Sequence, residues 1–147
     1  MRQKMKRLLS TLLVICFITM TLSQTNVYGS EIIPRYNNTQ NATIDTYIDK
    51  TNDVLTINYH YTGYSNITTK AVITTYIEKQ FLGIFWTRVD IGATNDKWIQ
   101  TVNNYRYSGK RTFSLSSEGT YRTTVIYEIY GSDGSVDEIT CQDTVTY

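Results

Sequence analysis

The chain has 147 residues, a formal net charge of +1, two cysteines and 18% charged residues, which suits one soluble domain and excludes a disulfide-rich miniprotein or a collagen-like or disordered chain. Those totals average two unlike pieces: residues 1–30 hold all three Met and four basic but no acidic residues, whereas residues 31–147 hold 10 basic and 13 acidic ones, a net charge of −3. In the second piece 58 of 117 residues are Thr, Ile, Val, Tyr, Phe or Trp, against three Leu, three Ala and no Met, a bias toward strands and away from helices.

At the N-terminus, Arg2, Lys4, Lys6 and Arg7 precede an apolar run from Leu8 to Leu22, the order of a cleaved secretory signal peptide. The run is 15 residues long, short of the roughly 20 that a membrane-spanning helix needs. Small-residue rules place cleavage after Gly29 or one residue later, giving a signal over 1–29, a lead-in over 30–41 and a domain over 42–147. Cys16 lies inside the apolar run without the small neighbours of a lipobox, so Cys141 is expected to be the lone thiol of the exported chain. No later segment reaches membrane length, and no membrane anchor is expected there.

Alternation then dominates. Ile44, Thr46 and Ile48 share one face of a first strand, and Leu55, Ile57, Tyr59 and Tyr61 one face of a second, with a turn over Asp49 to Asp53. Ala71, Ile73, Thr75 and Ile77 align in a third strand, and Ile84 to Val89 forms a fourth beyond a turn at Lys79 to Gly83. A loop at Gly92 to Asp96 leads to a strand over Trp98 to Tyr107, a turn at Ser108-Gly109-Lys110 and a short strand over Arg111 to Leu115. Tyr121, Thr123, Val125, Tyr127 and Ile129 give the clearest strand face, and Gly131-Ser132-Asp133-Gly134 turns the chain into a last strand over Val136 to Val145. Seven or eight strands with turns at such spacing predict an all-β antiparallel sandwich.

Residues able to do chemistry are sparse. His60 and Cys141 are the only ones of their types after the signal; they form a nucleophile and base only if they meet, and the pattern reads them as a surface His and a semi-buried Cys. One His and one Cys cannot complete a zinc set, the acidic turns lack calcium-loop spacing, and there is no phosphate loop, so neither metal nor cofactor is expected. A charge of −3 without a basic run disfavours nucleic acid. The most promising material is aromatic: Phe81, Leu82, Ile84, Phe85 and Trp86 surround Gly83 and offer a contact patch, against the alternative that they cover core and edge.

Ser117-Glu118-Gly119-Thr120-Tyr121 resembles the tyrosine corner of immunoglobulin-like domains, with Gly119 two residues before Tyr121 and Thr123 where an antibody domain has its second Cys. The chain also resembles a family of small secreted proteins of unknown function from Gram-positive bacteria. The matching pieces are Ile33-Pro34-Arg35-Tyr36, Gly83, Trp86, Trp98, Gly109, the Gly119 to Arg122 corner, Tyr127, Gly134 and Glu138. That resemblance implies an immunoglobulin-like (fibronectin-like) sandwich and carries no activity and no catalytic residues. The expectation is therefore a secreted, non-catalytic extracellular module that binds a protein or glycan or plays a structural part. The rivals are an antagonistic protein acting on membranes or competing cells, which requires an exposed Phe81 to Trp86 tip, and a small hydrolase built on His60 or a carboxylate pair.

Overall fold

The computed structural model describes residues 36–147, so the signal over 1–29 and the first half of the lead-in lie outside the described residues. Eight strands follow in order: β1 (Thr39–Asp49), β2 (Val54–Gly63), β3 (Thr68–Phe81), β4 (Phe85–Arg88), β5 (Trp98–Val102), β6 (Arg106–Ser114), β7 (Thr120–Gly131) and β8 (Val136–Thr146). All pairings are antiparallel and no α-helix occurs among the described residues, so the chain is all-β. A three-stranded sheet has the order β1-β2-β6; a five-stranded sheet has the order β4-β3-β7-β8, with β5 also paired to β3.

The period-2 pattern sets which residues face inward. Leu55, Ile57, Tyr59 and Tyr61 of β2, Ala71, Ile73 and Ile77 of β3, and Tyr121, Val125, Tyr127 and Ile129 of β7 are buried in one cluster, so both sheets contribute to a single core. Two tyrosines lie edge to face within it, Tyr61 and Tyr127, with ring centroids 6.1 Å apart. Their hydroxyls donate to backbone oxygens, Tyr61 to Asn104 and Tyr127 to Thr43, both at 2.7 Å, which satisfies the polar end of each buried ring.

Two predicted elements are corrected: the strand expected over Trp98 to Tyr107 is broken after Val102, and the turn expected beyond it is absent. The chain does not turn at Ser108-Gly109-Lys110; β6 runs straight through it, and the reversal falls earlier, at Asn103 to Tyr105. Gly109 is there because β6 lies under an aromatic ring: a Cβ at that position would come within 2.5 Å of the Tyr59 ring and 2.6 Å of Tyr107. A glycine in a strand marks such a close approach as readily as it marks a turn.

The end of the expected lead-in is also structural. Asn38 and Thr39 are buried, and β1 begins at Thr39. Asn38 donates its side-chain amide to the backbone oxygens of Ile129 and Ser135, both at 3.1 Å, while its side-chain oxygen accepts the Ser135 hydroxyl at 3.2 Å and its backbone oxygen the Thr68 hydroxyl at 2.5 Å. Polar residues at this position go inside because every group finds a partner.

Candidate functional site

The reversal between β3 and β4 is closed by the Ile84 N–H, which donates to Phe81 O at 3.2 Å, and Leu82 and Gly83 occupy the left-handed region at φ 53° and 69°. Gly83 adopts that conformation freely. Leu82 does so against its Cβ, at a position where Asn or Gly is the low-energy choice. The Gln80 side-chain amide donates to Gly83 O at 3.0 Å and ties down the tip. Phe81, Leu82, Ile84 and Phe85 are 60%, 73%, 72% and 61% exposed, four large apolar side chains in five consecutive residues. At this exposure the four side chains do not serve as core cover.

Trp86, the fifth residue of the predicted patch, is half-buried and differs from the rest. It pairs with Gln80 across the hairpin and lies on the outer face of the five-stranded sheet, with β3 between it and β7. There the Arg122 guanidinium stacks 4.3 Å from the Trp86 ring and donates to Glu78 Oε2 through Nε at 3.0 Å and Nη2 at 2.7 Å. Arg88, which pairs with Glu78 in the register, lies 3.4 Å from the Tyr76 ring. The result is an aromatic and cationic row directly behind the apolar tip. A cleft of about 360 Å³ opens at this junction, lined by Lys79, Gln80, Phe81, Thr87, Arg88 and Val89.

His60 and Cys141 lie on opposite sides of the three-stranded sheet. Cys141 faces inward, donates its thiol to Ala42 O at 3.5 Å, and is held neutral by burial, which raises its pKa above the ordinary thiol value. His60 faces outward with both ring nitrogens engaged, Nδ1 with Ser108 Oγ and Nε2 with Thr62 Oγ1, each at 2.8 Å. With Asn104, Arg106, Tyr107 and Ser108 it lines a cleft of about 410 Å³. The His60–Ser108 contact escaped the sequence reading because only the β2–β6 register, which sets His60 opposite Ser108, brings the two together.

Among the described residues no three His, Cys, Asp or Glu side chains cluster as a metal set. The acidic turns serve local geometry: Asp133 is held below the usual carboxylate range by the Ser135 hydroxyl and amide, and Asp49 by the Asn52 side chain and Thr51 amide. At the corner, the Tyr121 hydroxyl donates to Ser117 O at 2.5 Å, and Gly119 sits at φ 147° under Lys79, whose Cε would be 2.6 Å from any Cβ there. Among the described residues no helix is long and apolar enough to cross a membrane.

No protein-family profile matches the chain, and no curated protein matches it. Among solved structures, the chain is similar to the Putative ApaA Protein from Bordetella pertussis, at 13% identity over 74% of this chain and 95% of that one, with a TM-score of 0.45.

Proposed function

We propose that the chain is an exported, non-catalytic binding module, a fibronectin-like β-sandwich that presents the β3–β4 hairpin tip to its ligand. The sheet orders, three strands as β1-β2-β6 against β4-β3-β7-β8, support the sandwich assignment, as does the hydroxyl bond of Tyr121 back to Ser117. The observation that carries the binding role is the exposure of Phe81, Leu82, Ile84 and Phe85 on a turn that holds Leu82 in a strained conformation. A rigid sheet presenting a loop is an economical recognition device, since little ordering entropy is lost on contact.

The test compares the immobilised domain with its Leu82→Asp/Ile84→Asp variant against purified cell-wall polymers, glycans and lipid vesicles. At least one ligand class is expected to bind the wild type and be lost with the variant. Ligand binding that survives the tip change and disappears on substitution of Tyr76 or Arg88 would move the site to the outer sheet face.

A second reading, a small hydrolase, draws on the 2.8 Å contact between Ser108 Oγ and His60 Nδ1. The other ring nitrogen meets Thr62 rather than a carboxylate, so the imidazolium of a proton-transfer step would lack a charged partner. Covalent labelling of Ser108 by a fluorophosphonate probe, abolished in His60→Ala, would favour it; absence of labelling would discard it.

A further inference from the structure

We infer that the β3–β4 hairpin docks on the surface of an anionic phospholipid bilayer, with Phe81, Leu82, Ile84 and Phe85 entering the acyl boundary and Lys79 and Arg88 meeting the phosphate headgroups. The inference rests on the tip being the contact element and names what it contacts. Three observations point to a bilayer rather than to a protein groove.

First, the side chains are layered by depth. The four exposed apolar residues form the end of the hairpin, Trp86 lies one position back in the row it shares with Gln80, and Lys79 and Arg88 lie one and two rows further from the end. At about 3.3 Å per residue the cations stand roughly 7 to 10 Å behind Phe81, which matches the shallow depth to which interfacial elements enter. Apolar end, tryptophan and cations in that order reproduce the sequence of acyl boundary, interface and headgroup.

Second, the polar groups of the tip are partly answered from within. The Ile84 N–H donates to Phe81 O, and Gly83 O accepts from the Gln80 side chain. Backbone groups that enter an apolar medium must be satisfied internally, and the Gln80 bond does this for a carbonyl that the ladder cannot reach.

Third, the charge is local and complementary. The cleft of about 360 Å³ directly behind Phe81 is flanked by Lys79 and Arg88, and the carboxylate closest to it in the register, Glu78, is already paired with Arg122 at 2.7 Å. The two cations stand on opposite faces of the hairpin, Arg88 over the Tyr76 ring and Lys79 with its ammonium donating to Ser117 Oγ at 2.6 Å, so headgroups on either side of the inserted end each meet one of them. Residues 31–147 carry a net charge of −3, so binding depends on this face and not on general attraction.

The experiment is sedimentation of residues 30–147, which include the whole described core, with phosphatidylcholine vesicles and with vesicles containing phosphatidylglycerol. The wild type is expected to bind the anionic vesicles more tightly, with the Trp86 region moving to shorter-wavelength emission. Leu82→Asp/Ile84→Asp should weaken partitioning by at least about 10-fold, because two large apolar side chains no longer enter the boundary. Lys79→Glu/Arg88→Glu should abolish the preference for anionic lipid. Unchanged circular dichroism in both variants separates lost docking from lost folding. Absence of sedimentation, or sedimentation indifferent to the tip change, would overturn the inference. Tip-dependent binding of a polymer, a glycan or a second copy without vesicle binding would overturn the lipid assignment alone and leave the tip as the contact element.

Discussion

Asp137 of β8 accepts the backbone N–H of Asn38 at 2.7 Å, joining residues 99 positions apart in the chain. The same carboxylate accepts the Asn37 N–H at 3.2 Å and the Thr39 hydroxyl at 3.0 Å, so one buried side chain holds the entry to β1. Asp137→Ala strands these donors and is expected to lower stability by about 3 kcal/mol. Asp137→Asn should recover part of the loss, since its amide oxygen still accepts while its NH2 faces another donor. Urea denaturation measures both; a change under about 0.5 kcal/mol for the alanine variant would mean that water replaces the carboxylate.

Alkaline stability follows from two buried phenols. Burial raises the Tyr61 pKa from 10.0 to about 12, and burial also raises that of Tyr127. Because the folded-state values lie above the unfolded one, the contribution is complete below about pH 10 and is lost as pH rises toward and through about 12. An alkaline unfolding transition is expected in that window. Tyr61→Phe should cost about 1 kcal/mol at neutral pH through the lost bond to Asn104 O, yet shift the alkaline transition upward. Circular dichroism against pH, at fixed ionic strength, reads both effects.

Gly109 offers a direct check on the course of β6. Gly109→Ala places a methyl 2.5 Å from the Tyr59 ring and should cost about 2 kcal/mol by overpacking. Alanine at a solvent-facing turn would cost far less, so a thermal melt of this single variant distinguishes a strand from the turn that the dipeptide Gly109-Lys110 resembles.

Thr123 is fully buried, and its hydroxyl has no hydrogen-bond partner among the described residues. Thr123→Val keeps the shape and removes the unanswered polar atom, and it is expected to stabilise the protein by about 1 kcal/mol. A lower denaturation midpoint for this variant would show that the hydroxyl finds a partner after all.

The faces of β2, β3 and β7 were legible in the sequence because alternation at period two survives wherever one side of a strand meets the core, as Leu55 to Tyr61 and Tyr121 to Ile129 do. Asn38 and Thr39 carry no such signal, since apolar patterning says nothing of polar groups that are buried with partners. The apolar residues around Gly83 stood out by composition, but their exposure did not: parity alone turns Phe81 and Phe85 toward the core side, and only the length of β3 carries them beyond the core's end. The stack of Arg122 on Trp86 and the His60–Ser108 pair depend on register between strands far apart in sequence, which no local pattern encodes.

The seam between β1 and β8 has a temporal side. Asp143 caps the Thr46 N–H at 2.8 Å as Asp137 caps Asn38, and both carboxylates arrive on β8, synthesised 97 and 99 residues after the amides they cap. A nascent chain that stops short of residue 137 leaves the first strand's amides uncapped, however well β2, β3 and β7 have paired. High sequence separation of this kind makes such contacts late and slow to form. β1 is thus held by β8, and the emergence of β8 sets the earliest moment at which the domain can close.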